Sequence, residues 1–188
     1  MSTATVPTQS AEMTAEEFLA RHGDERGIEL VRGIVRRKPM PGIFHGQVSG
    51  NLATDLGIYL RKTQFGRLLT NDTLVRTEQY PPSFRGPDLQ VISYSRLPKD
   101  QKPAGVADVS PELVVEVRSP SNSWRELIRK AVEYLDADVK VVILIDPEKQ
   151  TASIYRSNDN VQSIGVNDVL AIPDLLPGFE VPMTALFE

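Results

Sequence analysis

The sequence predicts an α/β fold, in the α+β sense of a mixed central sheet, and three observations carry that prediction. Apolar residues recur at helical spacing over 45–62 and 124–137, and in short runs of strand length elsewhere. Strand, helix and strand follow one another over 113–145, the order of a crossover between parallel strands. Hairpin patterns near each end of the chain supply antiparallel neighbours, which makes the sheet mixed.

Each element has a local cause. Thr14 opens Thr-Ala-Glu-Glu, a capping box with Glu17 at its third helical position, so a short helix runs to about Arg21. Ile28 to Val31 and Ile34 to Arg37 flank Arg32-Gly33, where the glycine supplies the turn of a hairpin. The next helix spans His45 to Lys62 and carries Val48, Leu52, Leu56 and Tyr59 on one face, with Ala53 and Leu60 widening the stripe. Strands follow at Arg67–Thr70, Thr73–Thr77 and Asp88–Ser93, with Tyr80-Pro81-Pro82 as a loop between the last two. Residues 95–111 hold Pro98, Pro103, Gly105 and Pro111 and read as a long irregular connection. Leu113–Ser119 is a strand broken by Ser119-Pro120-Ser121. Ser123 to Glu126 forms a second capping box, opening a helix to about Ala137. Lys140–Ile145 is the most apolar strand, of the kind buried on both faces. Asp146-Pro147-Glu148-Lys149 turns the chain into Thr151–Arg156, a further strand is expected near Val161–Val166, and the tail from Pro173 reads as loop. The core order is helix, three strands, helix, strand. Residues 1–12 are expected to be a disordered polar tail and 13–188 a single domain.

Composition removes several chemistries. The chain has 188 residues and no cysteine, so disulfides, thiol nucleophiles and thiolate metal sites are excluded. With only His22 and His45, an imidazole-rich zinc site is not expected either. Any metal would be a hard cation held by carboxylates. The formal charge of -4 gives no bulk electrostatic case for nucleic acid. Arg32, Arg36, Arg37 and Lys38 cluster locally, which reads as a solvated hairpin ahead of a phosphate-contacting patch. No apolar run approaches bilayer length and no secretory signal opens the chain, so cytoplasmic residence without a membrane partner is expected. Glycine-rich phosphate loops are absent, which argues against a doubly wound dinucleotide fold.

The chemistry-bearing residues are Asp88, after Pro87 at a strand start, and Glu116, at the end of the run Leu113-Val114-Val115. Carboxylates at the ends of buried strands are costly unless something binds them. If the two strands pair, both acids converge on one ion, and magnesium is the natural choice for oxygen ligands, with manganese as substitute. Alternation puts Glu116 and Arg118 on one face, and Asp88 and Gln90 on another strand's face. Lys130 edges the stripe of Leu127, Ile128, Ala131, Tyr134 and Leu135, and its stem can carry an ammonium to the sheet end. Each residue also has a plain structural reading: a turn aspartate, a glutamate–arginine ion pair, a snorkelling lysine, a helix-start His45 and a Glu29 that decorates a hairpin.

Taken in order, these pieces resemble the bacterial putative restriction endonuclease family of the PD-(D/E)XK nuclease superfamily. The resemblance runs from Met13 to about Phe187 through Met13-Thr14-Ala15-Glu16-Glu17-Phe18, Glu29-Leu30-Val31, His45-Gly46, Pro87-Asp88, Pro111 to Val117, Ser119-Pro120-Ser121, Lys130-x-x-Glu133-Tyr134-Leu135, Asp146-Pro147 and Pro177-Gly178-Phe179. It implies a restriction-endonuclease-like core and magnesium-dependent endonuclease action on DNA. Asp88 and Glu116 match the two acidic positions, and Lys130 stands where the family's lysine has moved from strand to helix. Glu29 matches a recurrent acid. On this reading Asp88, Glu116 and the Val117 carbonyl hold the metal, Lys130 orients water, Arg118 and Gln90 neighbour the phosphate, and His45 is an accessory. A homodimer would cut two strands. Arg118, Arg32 and Ile34 depart from the family pattern. With the acidic charge they support the alternative of a catalytically degenerate binding or assembly module. The same residues would also suit hydrolysis of a non-nucleic phosphate ester.

Overall fold

The computed structural model describes residues 12–70, 72–157 and 161–188. The expected polar tail lies outside the described residues except for Glu12. Helix α1 (Ala15–His22) begins as its capping box dictates: Thr14 accepts from the Glu17 amide, and the Glu17 carboxylate accepts from the Thr14 amide. Strands β1 (Ile28–Val31) and β2 (Ile34–Arg37) form the expected hairpin, with Gly33 at positive φ in the turn. Helix α2 (Ile43–Thr63) starts earlier than its apolar stripe suggests, capped by the Gly42 backbone alone. It is followed by β3 (Gly66–Thr70), β4 (Val75–Glu78), β5 (Ser83–Arg85) and β6 (Leu89–Ser93). Then come β7 (Leu113–Val117), α3 (Trp124–Asp136), β8 (Val141–Asp146), β9 (Thr151–Tyr155) and β10 (Gln162–Ile164). The chain closes with β11 (Val169–Ala171), β12 (Glu180–Pro182) and α4 (Met183–Phe187).

The main sheet has six strands in the order β10-β9-β8-β7-β6-β3. β7 and β8 are parallel, joined across α3, and the other neighbours are antiparallel. The sheet is therefore mixed. The strand expected at Thr73–Thr77 leaves it: β4 pairs with β5 in a second sheet, β2-β1-β5-β4, and β3 pairs with β6 instead. β5 carries no sequence signal of its own, being only Ser83-Phe84-Arg85 after two prolines. It is a strand because Phe84 meets Leu30 of β1 and stacks on Phe18.

Alternation along the strands sorts the core into two layers. Leu113, Val115 and Val117 of β7 turn to one side with Val141, Ile143 and Ile145 of β8, where they meet Val48, Leu52 and Leu56 of α2. Val114, Val142 and Leu144 turn to the other side, onto Leu127, Ala131 and Tyr134 of α3. The tail expected as loop is core instead. Leu170, Leu176, Met183 and Leu186 are fully buried against the α2 layer, because that face of the sheet needs a cover that one helix does not provide. Among the described residues, no helix is long and apolar enough to cross a membrane.

Candidate active site

The site lies where α2, α3 and both sheets meet at one end of β7. Glu116 shares the α3 face of β7 with Val114, so its carboxylate is carried under the helix. Its Oε1 accepts from Lys130 Nζ at 3.3 Å and from the Tyr134 hydroxyl at 2.8 Å. Lys130 and Tyr134 are one turn apart on the buried face of α3, which is why both reach the same acid. Lys130 Nζ also donates to Glu29 Oε1 at 2.9 Å. Glu29 arrives there by strand alternation: Ile28 and Leu30 pack on Phe18 and Phe84, and the residue between them faces the other way.

Asp88 sits one residue before β6. Its Oδ2 accepts from the Val117 amide at 2.7 Å and lies 3.1 Å from Nε2 of His45, in the first turn of α2. Asp88, Glu116, Val117, His45 and Lys130 all line one cleft of about 270 Å³. Ser119 and Asn122, from the turn after β7, line it as well.

Arg85 holds this arrangement from behind. It is 1% exposed, donates to Glu29 Oε2 at 2.8 Å, and grips Glu133 through two bonds of 2.6 and 2.9 Å. The Gly86 amide adds a bond of 3.3 Å to Glu29, and the Gly86 carbonyl accepts from Lys38, which also pairs with Asp72. Sequence reading missed Arg85 because a lone arginine in a three-residue strand has no periodicity to mark it. Tyr134 was legible as a member of an apolar stripe and of a family motif, but with no role attached. Lys38 was legible only as part of a basic run.

Charge follows from these contacts. Burial opposes the Lys130 ammonium, but Glu116 and Glu29 overcome it and raise its pKa, which favours the cationic form. Burial also opposes ionisation of Glu29, yet Lys130 and Arg85 outweigh it and hold the carboxyl below its ordinary value. Glu116 is different: burial pushes its pKa up, Lys130 pulls against this, and the charge on Asp88 pushes it further up. Burial and the neighbouring Glu116 raise Tyr134 well above the usual phenol range, so its hydroxyl remains a donor. Burial lowers His45, but the hydrogen bond and charge of Asp88, with the Val117 carbonyl and Glu116, raise it overall.

The donor set fits a hard divalent cation. Asp88, Glu116 and the Val117 carbonyl are the oxygen donors that could hold one here, and among the described residues no three His, Cys, Asp or Glu side chains are grouped to hold a metal.

Two expected phosphate neighbours lie elsewhere. Gln90 is 2% exposed and donates to the Thr73 carbonyl at 2.6 Å, because its face of β6 is covered by the chain leading into β4. Arg118 follows the end of β7, where Ser119-Pro120 stops the alternation that would have kept it beside Glu116. It bonds Asp146 at 3.3 Å and Glu148 at 3.2 Å and lies over Trp124. In the basic run, Arg32 and Arg37 pair with Glu78 and Glu25, as suits a solvated hairpin, whereas Lys38 turns into the cleft and pairs with Asp72.

The fold has a solved counterpart. The crystal structure of a putative nuclease belonging to DUF820 from Anabaena variabilis ATCC 29413 superposes with a TM-score of 0.81. That protein shares 21% identity, and the match covers 93% of this chain and 97% of that one. No curated protein matches the chain. The mixed sheet thus defines a protein of the restriction-endonuclease-like α/β class. The chain belongs to the Uma2 family, described as "Putative restriction endonuclease", which it matches over residues 15–184.

Proposed function

We propose that this protein is a magnesium-dependent endonuclease that hydrolyses phosphodiester bonds of DNA, with manganese as a competent substitute. The reading rests on one observation: Asp88, Glu116, Val117 and Lys130 line a single cleft. Asp88, Glu116 and the Val117 carbonyl would hold the ion. Bound there, it would supply an activated water and offset charge on the phosphate. Lys130, kept charged by Glu29 and Glu116, orients the attacking water and stabilises the charge that builds on phosphorus. Tyr134 fixes the Glu116 carboxylate by donating to Oε1, and His45 steadies Asp88. The family's description supports DNA as substrate. Two copies, each working as a single domain in the cytoplasm, would cut both strands as a homodimer.

A second reading is a nuclease-derived module that binds without cutting. The observation in its favour is that Asp88 Oδ2 already has two partners, the Val117 amide and His45. Metal titration and plasmid cleavage separate the readings. The endonuclease reading expects magnesium or manganese binding by calorimetry that Asp88→Ala and Glu116→Ala abolish. It also expects plasmid nicking in manganese that falls by about 100-fold or more in a folded Lys130→Met chain, as befits a lost transition-state contact. Equal cutting by native and Lys130→Met protein would remove the role given to that lysine. Metal-independent behaviour throughout would favour the module.

A further inference from the structure

The mouth of the cleft differs from its floor. On the floor every cation has an acidic partner: Lys130 with Glu29 and Glu116, His45 with Asp88, Lys38 with Asp72. Arg26 lines the same cleft, is exposed, and has no carboxylate partner among the described residues. Next to it in the lining runs Pro39-Met40-Pro41. Met40 is 92% exposed, and Ile43, at the start of α2, is 93% exposed. Met40, almost fully in water and flanked by prolines, gives the lining an apolar lip, and the equally exposed Ile43 follows it three residues further along the chain.

From this juxtaposition we infer that the lip is the DNA-docking edge of the site, where Arg26 takes a backbone phosphate beside the scissile one and Met40 and Ile43 press on the adjoining base step of a duplex. The inference rests on the endonuclease reading and adds the residues that seat the substrate. Charge complementarity selects the occupant. The floor carries acids and repels a polyanion unless an ion is bound, so an unpaired guanidinium at the entrance is the group left to draw a phosphate in. An arginine alone would suit any phosphate, but exposed apolar side chains beside it suit a deformable base step of a duplex rather than a free metabolite phosphate.

The test is equilibrium binding of the full chain to a short labelled duplex, with calcium as the ion, across a salt series, alongside plasmid cleavage in manganese. Arg26→Ala is expected to weaken binding about tenfold and to reduce the salt slope by about 0.9, the loss of one phosphate contact. Met40→Ser with Ile43→Ser is expected to weaken binding several-fold with the slope unchanged. All three side chains are exposed, so these variants keep the fold, and circular dichroism checks it. If native protein cuts plasmid but Arg26→Ala keeps the native slope, or the double variant binds as native does, the docking edge is wrong and the endonuclease reading stands. If native protein neither binds nor cuts DNA, that reading falls and the docking edge with it.

Discussion

Glu29 and Glu116 share one ammonium, yet their pKa values shift in opposite directions: burial, joined by the charge of Asp88, prevails over Lys130 at Glu116, whereas at Glu29 the charges of Lys130 and Arg85 together outweigh burial. Glu29 is held below its ordinary 4.5, so its ionised form stabilises the fold above that value, and the contribution is lost as pH falls through the lowered folded pKa. In urea unfolding followed from pH 7 to pH 3, Glu29→Gln should lose about 3 kcal/mol or more at neutral pH, as when a buried pair is broken. The variant should then converge on native protein in acid. A constant gap across that range would contradict the assignment. Glu116 has the reverse sign. Its folded pKa is raised, so above its ordinary 4.5 ionisation costs stability, and the cost stops growing only once pH passes the folded value. Glu116→Gln keeps an acceptor for Tyr134 and should raise the Tm of metal-free protein at pH 7. It should also abolish any further rise on adding magnesium.

At the scale of elements, β3 lies unusually close on β6 at one end. Gly66 faces Ser93 in that pairing, and a Cβ there would stand 2.3 Å from the Ile92 carbonyl oxygen. Backbone atoms cannot yield that far, so Gly66→Ala should pry the edge strand loose. Hydrogen exchange should then quicken across Gly66–Thr70 and Leu89–Ser93 while α3 stays protected; unchanged exchange in β6 would show that the sheet absorbs the Cβ. Helix α3 has the larger task. Its buried face carries Leu127 and Ala131 for packing and Lys130 and Tyr134 as donors to Glu116, so packing and the register of those contacts are set together. The amphipathic period made the helix legible in the sequence. The same period ranked Lys130 as an edge residue, whereas it is 3% exposed, because Glu29 and Glu116 supply partners that no helical pattern encodes.

For the whole molecule, the last stretch of chain decides whether the α2 layer is dry. Leu170, Leu176, Met183 and Leu186 close it, and Asn51 and Gln47 of α2 donate to carbonyls at the carboxyl end. Removing residues 167–188 should therefore convert the protein to an expanded state that binds a hydrophobic dye and loses near-ultraviolet dichroism while keeping much of its helix signal. A truncated chain with native cooperativity would show that α2 alone covers the sheet. Proline and glycine at 173, 177 and 178 made this tail look like loop. Its apolar residues are too widely spaced to reveal a period, and only their common docking surface unites them.

By itself the sequence determined what local physics determines: the capped helices, the first hairpin, the parallel pair across α3, and the acids standing at strand ends. It also named Asp88, Glu116, Lys130, Glu29 and His45, partly from strand alternation and helical spacing and partly from family resemblance. Tertiary structure alone decided that β4 joins a second sheet, that the tail is core, and that Arg85 braces Glu29. It alone set Gln90 and Arg118 outside the cleft. Periodicity reports which face of an element is buried, whereas the partner that buries it, or that neutralises its charge, is chosen by contacts between residues far apart in the chain.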